Sequence, residues 1–160
     1  MKLIKSSSFY TREKVFEDKE NLYIFTDKCD RTSGWGTIPD DSEYSKRFGK
    51  INLKFPKVTT ALIRGLDNAY PVTTQKHYIK GKESYKGNWT DDDFDEFKEV
   101  IDSDFEAIKK AIKEKGYKQV IFPIGGILNR NISKLTIERT PKLFNYIIEK
   151  EKELKEYEDN

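Results

Sequence analysis

Cysteine and histidine are nearly missing from this chain of 160 residues, which holds one of each, Cys29 and His77. A lone cysteine forms no intramolecular disulfide, and one Cys with one His cannot complete a structural zinc site. A thiolate–imidazole catalytic pair would require two residues distant in sequence to meet in the fold. Long apolar runs are also lacking, so no membrane span is expected, and Met1-Lys2-Leu3-Ile4-Lys5 is too short for a secretory signal. Neither sign of charge dominates: 30 basic residues face 28 acidic ones, for a net charge of +2. That balance argues against a dedicated nucleic-acid-binding protein, which shows a basic face and a domain pI above about 9. The expectation is a soluble cytoplasmic protein that needs no metal and no cofactor.

What is present is aromatic bulk. Only 36% of the residues are hydrophobic, but ten Phe and nine Tyr are among them. This is enough to build one core in a single domain of this length. Residues 1–20 are polar and mixed, with Phe9, Tyr10, Val15 and Phe16 marking a short amphipathic docking segment. Residues 21–157 then form one α/β domain. Leu22-Tyr23-Ile24-Phe25 reads as a buried strand, and residues 26–41, rich in Asp, Thr, Ser and Gly, read as a long loop. Ser42 caps a short helix through Phe48. The segment around Val58 to Arg64 fits strand or helix. Residues 69–75 are extended, with Pro71 favouring an edge position.

The strongest element is a helix from about Asp91 to Lys115. Thr90 and Asp93 supply a capping box, and acidic residues crowd the positive end of the helix dipole. Phe94, Phe97, Ile101, Phe105, Ile108 and Ile112 recur at spacings of three and four, and Gly116 ends the helix. A strand over residues 117–124 follows. Thr140 then caps a last helix, with Pro141 in its first position and Leu143, Phe144, Ile147 and Ile148 on its buried face. Strand, long helix, strand and helix in this order predict an α/β three-layer sandwich with a mixed, partly parallel sheet.

Two loops stand out because each follows a short β-prone run, and ligands of open α/β sheets sit outside the carboxyl ends of the strands. The first holds Asp27, Asp30, Arg31, Thr32, Ser33, Gly34 and Trp35. Here a carboxylate can accept from a ribose hydroxyl, Arg31 can pair with an anion, and Trp35 can stack on a base. Equally, Asp27 and Asp30 can cap turn backbone with Arg31 as their ion-pair partner, and Trp35 can fold back on the sheet. The second holds Gly125, Gly126, Asn129 and Arg130. Its glycines can cradle a phosphate, or only permit a tight turn out of a buried strand. Asn68 and Thr73 can line the same pocket, or serve as a turn residue and a β-prone strand residue. The run Asp91-Asp92-Asp93 is explained by the helix dipole and is assigned no metal.

The segments from Asn21 to Asp27 and from Asn68 to Thr74, with Val120-Ile121-Phe122-Pro123, resemble a group of small bacterial and bacteriophage proteins of macro-domain-like architecture. More narrowly, residues 20–150 resemble an uncharacterised early protein family of T-even-type bacteriophages. The resemblance implies a macro-like sandwich, the host cytoplasm as location and a nucleotide-derivative ligand such as ADP-ribose. Thr26 and Lys28 stand where that pattern has Gly and Asn, and its glycine loop is reduced to Gly125-Gly126. The resemblance therefore bears on fold ahead of activity. Three functions follow as expectations. The chain binds a nucleotide derivative, ADP-ribose-like or a second messenger, as a phage modulator of host signalling or defence. It hydrolyses ADP-ribose or a nucleotide, with Asp27 or Asp30 activating water. Or it is a host-takeover module whose aromatic surface meets a host protein.

Overall fold

A computed structural model describes residues 2–28, 35–37, 52–54, 60–76, 88–129 and 135–157. They form β1 (Lys2–Lys5), α1 (Arg12–Glu17), β2 (Asn21–Lys28), β3 (Trp35–Thr37), β4 (Asn52–Lys54) and a 3-10 turn (Thr60–Ile63). Then come β5 (Ala69–Gln75), a second 3-10 turn (Asp91–Asp93), α2 (Phe94–Lys115), β6 (Gln119–Phe122) and α3 (Pro141–Tyr157). The main sheet runs β1-β6-β2-β5, with every neighbouring pair parallel. Among the described residues antiparallel pairing is confined to a separate ribbon of β3 and β4, and the main sheet is parallel rather than mixed. The helix expected over residues 42–48, Cys29 and His77 lie outside the described residues, as does most of the connection over residues 80–88.

Side chains alternate between two cores, as the period of a strand requires. Leu22, Ile24, Tyr70, Val72, Val120 and Phe122 face one cluster, which α2 and α3 complete with Phe97, Ile101, Phe105, Ile108, Leu143 and Ile147. Phe25, Ala69 and Ile121 face the other, completed by Tyr10, Val15 and Ile63 from the segments around α1 and the first 3-10 turn. A sheet covered on both faces is a three-layer α/β sandwich, and it explains why its strands read as near-continuous apolar runs. The N-terminal segment does more than dock. Lys2–Lys5 is itself an edge strand of the sheet, in register with Gln119 to Phe122.

α2 follows its pattern closely. Thr90 and Asp93 form the capping box, and Gly116 closes the far end in a left-handed conformation at φ 64°. The buried stripe includes one residue the apolar pattern hides, Asp104. Its carboxylate accepts from the Thr73 amide at 2.8 Å, while the Trp89 indole donates to the Thr73 carbonyl at 3.2 Å. β5 borders the sheet, and these two side chains satisfy backbone groups on its outer edge that would otherwise invite another strand. At α3 the expected cap is replaced. The Thr140 hydroxyl turns back to Thr136, and the amides of Lys142 and Leu143 point to the Asp91 carboxylate at 3.3 and 3.4 Å. One residue of the acidic run thus serves the N-terminus of the neighbouring helix. Ile148 is 47% exposed and Phe144 half-buried; Leu143, Ile147, Lys150 and Leu154 form the inner face.

Candidate functional site

Because all four strands run in parallel, their carboxyl ends share one edge, where Lys5, Phe122, Lys28 and Gln75 are the last strand residues. The ladder between the adjacent strands β2 and β6 stops at Tyr23 and Ile121. β2 continues to Lys28 against β5 alone, and the two chains part. The Tyr10 hydroxyl lies at the parting, 2.7 Å from the Ile24 carbonyl and 3.3 Å from that of Ile121. Burial pushes this phenol well above its ordinary pKa, with the nearby Tyr23 adding to the effect, so it serves as a neutral donor. On the far side of β2 the register slips between Asp27 and Lys28, leaving Thr74 as an extra residue in β5. Such bulges re-aim side chains and recur beside functional sites.

Asp27 sits on this edge with a side chain that is 0% exposed, and it meets an equally buried Arg64. Arg64 Nε donates to Oδ2 at 2.9 Å and a terminal nitrogen donates to Oδ1 at 2.5 Å, a two-pronged arrangement that guanidinium geometry favours. Oδ1 also accepts from the Lys28 amide at 2.8 Å. The partner is fixed from below: Arg12 of α1 grips the carbonyls of Leu62 and Arg64 at 2.7 and 2.8 Å, its own pKa lowered by burial. Asp27 was expected to pair with Arg31 or to face a ligand; in the described residues its carboxylate is held by Arg64. Two charges removed from water need this geometry, because losing one partner leaves the other uncompensated.

The turn after β6 is built by its glycines. Gly126 donates to the Pro123 carbonyl at 2.7 Å, with Gly125 at φ 74° in the position that only glycine enters without strain. Gly126 follows at φ 86°, and its carbonyl accepts from the Asn129 amide at 3.2 Å. Asn129 also folds back to donate its side-chain amide to the Ile124 carbonyl at 2.7 Å. A Cβ on Gly125 would lie 2.6 Å from that amide nitrogen, and one on Gly126 would lie 3.3 Å from Cε of Lys5. Lys5, the last residue of β1, therefore lays its side chain along this turn. Sequence reasoning overlooked it because it belongs to a segment without an apolar pattern.

Asn68 and Thr73 are placed differently. Asn68 precedes β5, at the amino end of the sheet, opposite to Gly125 and Gly126. Its side-chain amide reaches the carbonyls of Val15, Asp18 and Asn21 at 2.9, 2.8 and 3.3 Å, and its own carbonyl accepts from Tyr23. It borders a cleft of about 200 Å³ with Phe16, Lys19 and Tyr117, small beside the roughly 300–1,000 Å³ of typical ligand pockets. Thr73 does lie at the carboxyl side, paired with Asp27, but is 0% exposed. Asp30, Arg31, Thr32, Ser33, Gly34 and Arg130 lie outside the described residues, and Trp35 is described only as the first residue of β3. Of the expected site, the structure brings Asp27, Thr73, Gly125, Gly126 and Asn129 to one edge and puts Asn68 at the other. A wider groove of about 790 Å³ lies between the C-terminal halves of α2 and α3 and is lined by Lys109, Lys110, Lys113 and Tyr157 among others.

A family model described as a family of unknown function (DUF7831) matches residues 5–150. The chain belongs to this family. The family match runs from the last residue of β1 into α3, and so includes the whole carboxyl edge of the sheet. No curated protein and no solved structure matches the chain. Among the described residues no cluster of His, Cys, Asp or Glu is arranged to hold a metal, and no helix is long and apolar enough to cross a membrane.

Proposed function

We propose that this chain binds a small anionic molecule of nucleotide type, ADP-ribose-like or a nucleotide second messenger, at the carboxyl edge of its parallel sheet. The observation that carries this reading is the parting of β2 and β6 beyond Tyr23 and Ile121. Adjacent parallel strands that separate at their carboxyl ends open the crevice in which α/β proteins hold ligands. The turn at Gly125 and Gly126 follows β6 at that same edge. The segment after Lys28 adds Asp30, Arg31, Thr32 and Ser33 in sequence. A macro-domain-like relationship and action in the cytoplasm of a phage-infected host belong to the same reading. Binding is favoured over hydrolysis because Asp27, one of the two carboxylates suited to activating water, is buried against Arg64.

The test is calorimetric titration of the purified protein with ADP-ribose and ADP, preceded by an absorbance ratio that detects co-purified nucleotide. Arg31→Ala and Gly126→Val should each weaken binding by roughly 1–3 kcal/mol, as loss of a charge-assisted hydrogen bond does. Absence of binding by the unaltered chain, with no nucleotide carried through purification, would refute the reading. Turnover of either ligand would replace binding by hydrolysis.

A further inference from the structure

We infer that the outer side of β1 is a docking edge for an extended acidic segment of another protein, which adds one more strand to the main sheet. The inference is independent of the ligand reading above, since it concerns the length of a strand and not the end of the sheet. Among the described residues β1 pairs with β6 alone. The Ser6 amide donates to the Phe122 carbonyl at 2.8 Å. Backbone groups alternate sides along a strand, so Ile4 and Lys2 also turn theirs to β6, and Leu3 and Lys5 turn theirs outward. Among the described residues nothing meets the amides or carbonyls of Leu3 and Lys5.

The opposite edge is treated differently. There Asp104 and Trp89 occupy the amide and the carbonyl of Thr73. A sheet that stops one edge with side chains and leaves the other bare is open to strand addition on the bare side. The side chains specify the partner. Leu3 packs on the core completed by α2 and α3, Ile4 on the core completed by α1, and both stay half-buried. Lys2 and Lys5 are exposed and make no ion pair among the described residues. With the alternation of a strand, Lys2-Leu3-Ile4-Lys5 offers one apolar residue and one ammonium to each face. The matching strand carries a carboxylate, two apolar residues and a carboxylate, in that order. A second copy of this chain does not match, because pairing would crowd two more lysines onto the same short ladder.

The experiment follows backbone amide exchange of the full chain by NMR with a capped peptide, Thr-Glu-Val-Ile-Glu-Thr, and with the same peptide carrying Lys in place of Glu. The acidic peptide should slow exchange at Leu3 and Lys5 about tenfold or more, leaving Ile4, already turned to β6, unchanged. The basic peptide should slow neither. Lys2→Glu combined with Lys5→Glu should reverse the preference, each affinity moving by about tenfold. Leu3→Pro removes an outward amide and no bond to β6, so it should stay folded by circular dichroism and bind the acidic peptide about tenfold more weakly. The charge reversal decides the matter should Leu3→Pro not fold. Unslowed exchange at Leu3 and Lys5 in millimolar acidic peptide, an equal response to both peptides, or full affinity in folded Leu3→Pro would overturn the inference. So would a dimer in sedimentation that Leu3→Pro abolishes, which gives the edge to a second copy. None of these outcomes bears on ADP-ribose binding.

Discussion

The two ends of the parallel sheet treat their polar groups in opposite ways. At the amino end they close on one another. Asn68 ties together three carbonyls between α1 and β2. The Tyr23 hydroxyl donates to Asp18 at 2.6 Å, and Tyr117 lies 3.4 Å from the Asp67 carbonyl. The Tyr23 phenol is raised well above its ordinary pKa by burial and then by Asp18, as expected for a donor locked beside a carboxylate. At the carboxyl end one pair is equally closed, Asp27 with Arg64, but beside it the β2–β6 ladder has ended and the exposed Lys5 lies along the glycine turn. Self-satisfied polar groups hold a fold together, whereas unsatisfied ones at a strand terminus have chemistry left for a ligand.

The largest effect should come from the closed pair at the carboxyl end. Arg64→Met leaves Asp27 buried without its counter-ion and should cost about 3–5 kcal/mol, measured by urea unfolding. Adding Asp27→Asn should recover part of the loss, because a neutral amide is cheaper to bury than an unpaired carboxylate. If the single variant were as stable as the parent, the pair would not be the lock described. Next in size is Asn68→Ala, expected to destabilise by about 1–3 kcal/mol by leaving buried carbonyls without a donor. It should leave ADP-ribose affinity unchanged; a loss of affinity in a folded variant would move the site to the amino end. Gly125→Ala should cost about 1–2 kcal/mol, since an L residue at φ 74° is strained and its Cβ would press on Asn129.

The smallest effect is a pH dependence between the helices, away from both ends. Tyr146 donates a short hydrogen bond to Asp102, and Lys98 and Lys150 lie 3.1 and 3.4 Å from the same carboxylate. Burial alone would raise the pKa of Asp102, but the Tyr146 hydrogen bond and the two lysines outweigh it and hold it below the ordinary value. A carboxylate lowered on folding stabilises above its unfolded pKa of about 3.9, and that contribution fades as pH falls through the folded value. Urea midpoints should therefore drop on acidification below about pH 4, and Asp102→Asn should flatten that drop. An unchanged slope in the variant would assign the acid sensitivity elsewhere.

How much of this was legible depended on range. α2 was readable almost to the residue because its signals are local: a stripe at spacings of three and four, a capping box, a terminal glycine. The α/β class and the exit of β2 and β6 on one edge followed from element order. β1 escaped because four residues with two lysines carry no periodic signal, and its partner β6 is more than a hundred residues away. For the same reason Arg64 was not foreseen as the partner of Asp27, nor Asp91 as the anion serving α3. Those contacts join residues tens of positions apart, and only the crossovers decide them. Ile148 was misjudged as buried because a polar Lys150 at the inner face breaks the apolar rule; its ammonium is held by Glu153 and Asp102.

The most direct test of the claim that the carboxyl end is the binding end is an amide NMR titration with ADP-ribose. Shifts should concentrate at Lys5, at Lys28 and from Gly125 to Asn129, while Asn68, Gly65 and Tyr117 stay in place. Perturbation centred on that second group, on Lys109 to Lys113, or on no part of the chain at saturating ligand, would contradict the account.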